Sequence, residues 1–288
     1  MVEGKVAIIS SNAQVAGMLR GPFEAANFQV EEASSGEAGL MLCRQFLPHV
    51  VLVDADLQDM NGLDVCRSLR AAARTGHIHI IILAHSVDRQ LRLEGLKIGA
   101  DDFIVVPFDP DEVRLRVRNA LRRAAADNLT DPVTGLPSGR LIQARLRELV
   151  GKEDGWALLG LTVRYLEPFK EVYGFLAAQE VLRSVARLLA SGVDQWGRPE
   201  DFIGHSGMGR FVVVTGSECA RSLAEGLVNR FEKESQTHYS FREREQGYLV
   251  VRGKEGEQRV PLMRLEVRQV LPSDGPFYDI RSLTEALG

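Results

Sequence analysis

Val50-Val51-Leu52-Val53-Asp54 is the stretch that decides the fold of the first half of this chain. Four aliphatic residues in succession indicate a strand that is buried on both faces, as in a parallel sheet. Similar apolar runs occur at Val6–Ile9, Ile78–Leu83 and Phe103–Val106, and a shorter alternating run at Phe28–Glu32 suits a strand nearer an edge. These runs predict five strands in the first half of the chain.

Helical patterns lie between and after these strands. They run over Val15–Ala26, Glu37–Phe46, Leu63–Ala73, Asp88–Ile98 and Asp111–Ala125. Because strand and helix alternate five times, we predict an α/β domain with a doubly wound five-stranded parallel sheet of the flavodoxin-like kind. In such a sheet a ligand crevice opens at the carboxyl ends of the strands.

A turn-rich segment, Asp131-Pro132-Val133-Thr134-Gly135-Leu136-Pro137, follows the last of these helices. It predicts two domains, residues 1–126 and 127–288. The second half has patterns for helices at Arg140–Leu149, Glu167–Ala190, Cys219–Glu232 and Ile280–Leu287, and for strands at Trp156–Val163, Phe202–Thr215 (a hairpin), Tyr248–Val251 and Pro261–Val270. Hairpins outnumber parallel crossovers here, so we expect an α/β domain with a mixed, mainly antiparallel sheet.

The composition limits the classes of function. The 288 residues carry a net charge of −4, with 45% hydrophobic and 26% charged residues, which fits two globular domains. Without a net positive charge, neither nucleic acid nor an anionic membrane is an expected partner. The three cysteines are far apart and lack metal-ligand spacing. Met1 to Ser10 is too short for a secretory signal, and no apolar run approaches the roughly 20 residues of a membrane span. We expect a cytoplasmic protein.

The carboxyl ends of the predicted strands carry a family resemblance. Val50 to Asp54, followed by Met60-Asn61-Gly62-Leu63-Asp64-Val65, resembles the strand, phosphoacceptor aspartate and loop of response-regulator receiver domains. Gly99-Ala100-Asp101-Asp102-Phe103 through Pro107-Phe108 resembles their last strand and the turn after it. The resemblance covers residues 5–123, and it implies that Asp54 is the aligned phosphoacceptor.

The predicted receiver pocket departs from that family. The acidic pair that would hold Mg²⁺ is Ser10 and Ser11, the hydroxyl that would contact the phosphoryl group is replaced by Ala84, and the lysine before Pro107 is Val106. A divalent cation needs anionic oxygen ligands, and phosphoryl transfer depends on positioned charge. We therefore expect phosphorylation of Asp54 to be weak or unused. The alternative is that phosphorylated Asp54 controls the protein.

The outer face of the last two helices and the strand between them commonly forms a symmetric dimer in receivers. Its charges here either pair across a twofold axis or form a solvated surface. These residues are Arg89, Arg92, Glu94, Lys97, Asp102, Arg114, Arg116 and Arg118. We expect a homodimer through the receiver domain.

Three features of the second half carry another resemblance. They are Asp131 to Arg140, Tyr173-Gly174-Phe175, and a hairpin whose turn is Gly207-Met208-Gly209-Arg210. Together they resemble the GGDEF domain, the fold of diguanylate cyclases. In active members, carboxylates on the first strand and on this turn hold two metals. The corresponding residues here are Thr162, Gly209 and Arg210, with Arg164 two positions after Thr162. The resemblance therefore predicts no catalytic residue, no metal and no cofactor.

Two further positions depart from the same family. The asparagine and aspartate that read guanine correspond to Lys170 and Gln179. Lys170 and Arg210 either grip a phosphate or lie on a solvated surface, and we favour the surface.

Arg198-Pro199-Glu200-Asp201 matches one remaining feature of the GGDEF family. It ends six residues before Gly207, the spacing of an RxxD inhibitory site for cyclic di-GMP. A planar guanidinium suits a phosphate or a guanine edge, and an aspartate can accept from guanine N–H groups. Arg198 and Asp201 are therefore candidate ligand-binding residues. The alternative is a charged loop without a ligand.

Together these features predict a bacterial response regulator with a degenerate GGDEF domain. We expect a non-catalytic regulator of the two-component or cyclic di-GMP type, acting through other signalling proteins and with cyclic di-GMP as a candidate ligand. The alternative is an active diguanylate cyclase controlled by phosphorylation of Asp54.

Overall fold

The computed structural model describes residues 3–86, 89–253 and 256–287. It divides into two compact units, Met1–Gly135 and Leu136–Gly288. None of the described helices has both the length and the apolar composition needed to span a bilayer. The predicted start of a helix at Asp88 lies outside the described residues.

The first unit contains one parallel sheet flanked by helices. Its strands are β1 (Gly4–Ile9), β2 (Phe28–Ala33), β3 (Val50–Asp54), β4 (His79–Ala84) and β5 (Asp102–Val105), in the order β2-β1-β3-β4-β5. Its helices are α1 (Ala13–Ala25), α2 (Gly36–Phe46), α3 (Gly62–Ala71), α4 (Arg89–Ile98) and α5 (Pro110–Ala126). The predicted five-stranded, flavodoxin-like sheet is confirmed.

The apolar runs form this sheet because both of its faces are covered. Val6 and Ile8 pack into one core with α1 and α5, while Ala7 and Ile9 pack into a second core on the opposite face. β1 pairs in parallel with both β2 and β3, so the strand order reverses beside it. A doubly wound sheet is expected to open its ligand crevice at such a reversal, which here is at the carboxyl ends of β1 and β3, beside Ser10 and Asp54.

The second unit contains antiparallel sheets. Its strands are β6 (Ala157–Arg164), β7 (Phe202–Gly207), β8 (Arg210–Thr215), β9 (Tyr248–Gly253), β10 (Gly256–Pro261) and β11 (Arg264–Val270). Its helices are α6 (Gly139–Arg147), α7 (Leu166–Tyr173), α8 (Phe175–Trp196), α9 (Ala220–Glu234), α10 (Phe241–Gln246) and α11 (Ile280–Leu287). The main sheet has the order β11-β6-β8-β7, and β9 pairs with β10. Every pairing described here is antiparallel, in line with the predicted mainly antiparallel sheet.

The hairpin between β7 and β8 closes as the sequence predicts. Gly207 pairs with Arg210, and the two residues between them have positive φ, 53° at Met208 and 70° at Gly209. Positive φ at both central positions is the geometry of a type I′ turn, which matches the twist of paired strands. The turn holds Gly209 and Arg210 at the end of the main sheet.

One local prediction for the second unit is wrong. The long helix predicted over Glu167–Ala190 is two helices, because Gly174 adopts φ 87° and ψ 170°, a conformation that ends α7 and begins α8. A short helix, α10, follows Tyr239, and Ser240 and Glu243 begin it with a reciprocal capping box. Tyr239, just before it, is only 5% exposed.

Candidate functional site

Asp54 lies at the carboxyl end of β3, in the crevice of the first unit, and is 1% exposed. Ser10 donates its hydroxyl to Asp54 Oδ2 at 2.5 Å, and His85 Nε2 lies 3.0 Å from Asp54 Oδ1. Both carboxylate oxygens are therefore already bound within the protein. No sequence pattern singled out His85, which directly follows β4, the strand beside β3.

The acidic residues near Asp54 do not complete a metal site. Asp59 accepts hydrogen bonds from the backbone N–H groups of Glu37 and Gly36, at 3.0 and 2.8 Å. These bonds lower the pKa of Asp59 and commit its carboxylate to the start of α2. Asp56 forms an isolated bridge with Asn61.

The residues of this crevice do not fit Mg²⁺, the ion that the receiver resemblance implies. Within residues 3–86, 89–253 and 256–287, no group of three or more His, Cys, Asp or Glu residues could hold a metal ion. A hard divalent cation needs several oxygen ligands to replace its water. Asp54 with Ser10 supplies one charged group that is already hydrogen-bonded. Ala84 and Val106 add no side-chain donor or ligand.

Thr162 and Arg210 occupy one row of the main sheet in the second unit. Thr162 lies opposite Arg210 of β8 on one side and Glu266 of β11 on the other. They line a cavity of about 440 Å³ on that face of the sheet. Three guanidinium groups and one carboxylate surround it, from Arg164, Arg210, Arg268 and Glu266. We call it the arginine cavity.

The arginine cavity does not fit a metal ion either. Its single carboxylate, Glu266, pairs with Arg164 at 3.3 Å. Three cations with one anion repel a divalent ion, so two-metal chemistry has no ligands at this position. Gly209, in the turn, contributes no side chain.

Lys170 is paired with a neighbouring carboxylate, and Gln179 is buried. The Lys170 ammonium pairs with Glu167 at 2.9 Å, and Gln179 is 7% exposed on α8. Neither side chain forms the amide-and-carboxylate pair that reads guanine in the GGDEF resemblance.

Asp201 and Arg198 contact each other, but Asp201 is enclosed. Its side chain is 0% exposed. Its Oδ2 accepts from the Thr215 hydroxyl at 2.6 Å and from the backbone N–H of Arg198 at 2.9 Å. Arg198 Nε lies 3.5 Å from Asp201 Oδ1 and 3.4 Å from Glu200. In this arrangement the Asp201 carboxylate fixes the loop before β7 and presents no surface to a guanine edge.

Comparisons with known families agree with both resemblances. The response regulator receiver domain matches residues 6–118, and the diguanylate cyclase GGDEF domain matches residues 128–256. The chain is 31% identical over 227 residues to the transcriptional regulatory protein KdpE of Mycobacterium tuberculosis, covering 71% of this chain and 96% of that protein. It is 32% identical over 126 residues to the phosphate regulon regulator PhoB of Rhizobium meliloti, covering 44% of this chain and 56% of that protein.

A solved receiver domain, that of the Francisella response regulator 1452, is 25% identical, with a TM-score of 0.39 over 42% of this chain and 98% of that one. The chain belongs to the response regulators. It combines an N-terminal receiver domain with a C-terminal GGDEF domain, the architecture of a two-component regulator related to cyclic di-GMP signalling.

Proposed function

We propose that this response regulator is a non-catalytic signalling protein that acts through contacts with other signalling proteins in the cytoplasm. The observation that carries the proposal is the charge of the arginine cavity, where three arginines surround one glutamate. The GGDEF resemblance implies metal-holding carboxylates at Thr162, Gly209 and Arg210, and none of these residues can supply one. Without bound metal, the negative charge of a triphosphate is not neutralised, and the attacking hydroxyl is not deprotonated.

The receiver pocket supports the same proposal. A phosphoryl donor must reach an Asp54 oxygen, and both of these oxygens are hydrogen-bonded and buried. Transfer also depends on positioned metal and cationic charge. In place of an acidic pair and a lysine, the crevice has Ser10, Ser11 and Val106. We propose that Asp54 is a weak or unused phosphoacceptor.

The decisive experiment is incubation of the full chain with GTP and Mg²⁺ or Mn²⁺, followed by chromatography of the nucleotides. We expect no cyclic di-GMP above a protein-free blank. A variant that rebuilds the carboxylates, Thr162→Asp with Gly209→Asp and Arg210→Glu, is a matched comparison for the wild type. Product formed by the wild-type protein would overturn the proposal.

The alternative, a diguanylate cyclase switched by phosphorylation of Asp54, is favoured only by the match to the GGDEF family. Acetyl phosphate or beryllofluoride, added with Mg²⁺ before GTP, tests it. We expect an unchanged intact mass after acetyl phosphate, an unchanged oligomeric state and no product. A phosphorylated adduct that is lost in Asp54→Asn would show that the receiver is active.

Binding of cyclic di-GMP at Arg198 and Asp201 stays a separate prediction. Calorimetry of the wild type and of Arg198→Ala tests it, since Arg198 is the partly exposed member of the pair. Heat released only by the wild type would support cyclic di-GMP as a regulatory ligand. The absence of binding heat in both proteins would contradict this prediction.

A further inference from the structure

The arginine cavity is the open part of a sheet face that is elsewhere covered. At one end of this face, Leu158, Val214 and Val270 pack beneath α6 and α11 in an apolar core. Toward the other end of the same strands, the side chains become Thr162, Arg210 and Arg268, which line the arginine cavity. The cavity therefore has an apolar edge and a cationic edge on one surface.

The apolar edge is shaped by the close approach of α11. A Cβ atom at Gly160 would lie 2.8 Å from Leu287 Cδ2, so the last turn of α11 sits directly over β6. Ile142 and Leu146 of α6 line the same side. An aliphatic side chain entering the cavity would contact these residues and lose apolar surface to them.

The cationic edge has unused charge. Three guanidinium groups and one carboxylate give a net charge of +2, and Arg164 already neutralises Glu266. In the part of the chain that the structure describes, Arg210 and Arg268 contact no carboxylate. The Arg210 guanidinium contacts the Met208 sulfur, which lies 3.7 Å from Nη2. Two arginines are thus available for an external anion.

We propose that the arginine cavity binds an acidic segment of a partner protein. Arg210 and Arg268 pair with its carboxylates, and a neighbouring aliphatic residue packs against Ile142, Leu146 and Leu287. Arginine is the cation best suited to this role, because its planar fork binds carboxylates bidentately and is weakly hydrated. The inference rests on the proposed function and deepens it, since it names the surface through which a non-catalytic regulator contacts its partner.

The probe is a short fluorescein-labelled peptide of alternating glutamate and leucine, with a lysine–leucine peptide as its charge-reversed control. We expect fluorescence anisotropy to show saturable binding of the acidic peptide alone. In the variant Arg210→Glu with Arg268→Glu, the dissociation constant should rise by roughly tenfold or more, because like charges then face each other. Arg221→Glu is the matched control, since Arg221 is 89% exposed on α9 and does not line the cavity.

Three results would overturn the inference. They are failure of the wild type to bind the acidic peptide, equal binding by the double variant, and displacement of the peptide by inorganic phosphate but not by sodium chloride at matched ionic strength. The last result would assign the cavity to small anions. None of these results depends on the cyclase assay. A protein that makes no cyclic di-GMP and does not bind the peptide would support the proposed function and contradict the peptide-binding inference.

Discussion

At the scale of single residues, Asp201 is a buried carboxylate whose oxygens are all engaged inside the protein. We predict that Asp201→Ala lowers the free energy of unfolding by about 3 kcal/mol, because it leaves the buried Thr215 hydroxyl and the Arg198 N–H without an acceptor. Arg198→Ala keeps the backbone N–H and removes only partly exposed ion pairs, so its cost should be about 1 kcal/mol or less. Calorimetric melting of the two variants checks this.

Equal costs for the two variants would contradict the structural role of Asp201. The stability of Arg198→Ala also matters for ligand binding, since this variant is the one used for calorimetry with cyclic di-GMP. A folded Arg198→Ala protein keeps that test meaningful.

The position of Asp54 could be predicted from the sequence, but its surroundings could not. The aliphatic run before it fixes a buried strand, and a residue at the end of such a strand lies in the crevice of a doubly wound sheet. Its contact with His85 depends on how far β4 extends beside β3, which no local pattern records. The burial of Asp201 was missed for the same reason: Thr215, its partner, comes 14 residues later on the paired strand.

At the scale of elements, the segment after α5 is held to the first unit by buried polar side chains. The Lys5 ammonium donates to the carbonyls of Phe46 and Thr134, at 3.1 and 3.2 Å. His49 Nε2 lies 3.4 Å from the Asp131 carbonyl, and His77 Nε2 lies 3.1 Å from that of Gly135. The sequence indicated a turn here. The compact units divide after Gly135, and the domain boundary at residue 127 stays a prediction.

These two histidines make the first unit sensitive to acid. Burial lowers the pKa of His49 to about 4, with the nearby Lys5 charge adding to the effect, and burial lowers the pKa of His77 to about 4. An unfolded chain binds these protons already below about pH 6.5. The stabilisation is therefore complete above about pH 6.5 and is lost as the pH falls towards 4, by about 3 kcal/mol for each histidine.

Denaturant titrations of the full chain at pH 7 and at pH 4.5 measure this loss. The control is His49→Gln with His77→Gln, whose amides keep a donor near the same carbonyls and do not titrate. We expect the double variant to lose less stability than the wild type between the two pH values. The same loss in both proteins would assign the acid sensitivity to other groups.

Gly174 separates α7 from α8 through its backbone conformation alone. Its φ of 87° and ψ of 170° lie in a region that is essentially restricted to glycine, whereas Gly247, which ends α10, has φ 75° and ψ 11°. A Cβ at either position would meet no atom within 4 Å. We predict that Gly174→Ala destabilises by about 2 to 3 kcal/mol and Gly247→Ala by about 1 kcal/mol.

Melting temperatures of the two glycine variants, compared with the wild type, check the difference. Equal shifts would show that α7 and α8 can join as one helix, as the sequence pattern over Glu167–Ala190 suggested. That pattern failed because a single glycine within a helical periodicity is usually tolerated, and periodicity does not report φ.

At the scale of the whole molecule, the receiver face proposed for dimer formation carries exposed apolar side chains. Leu93 and Leu96 of α4 are 48% and 50% exposed, and Leu115 of α5 is 50% exposed. The charges of this face are partly paired within one chain: Arg116 contacts Asp102 and Glu112, both at 2.7 Å. We therefore expect the apolar residues to contribute more to a dimer than ion pairs between protomers, which exposed geometry makes weak.

Light scattering coupled to size-exclusion chromatography tests this homodimer. We predict a dimer for the wild type and a monomer for Leu96→Glu with Leu115→Glu, because two carboxylates per chain would then be buried against their symmetry copies. Met41→Glu is the matched control, since Met41 is 57% exposed on α2, outside this face. A monomeric wild type would contradict the dimer, and a dimeric double variant would place the interface elsewhere. A receiver dimer would carry two arginine cavities, one on each chain. Loss of the dimer would therefore also weaken binding of a partner that has two acidic segments, because the gain from bivalent binding is lost.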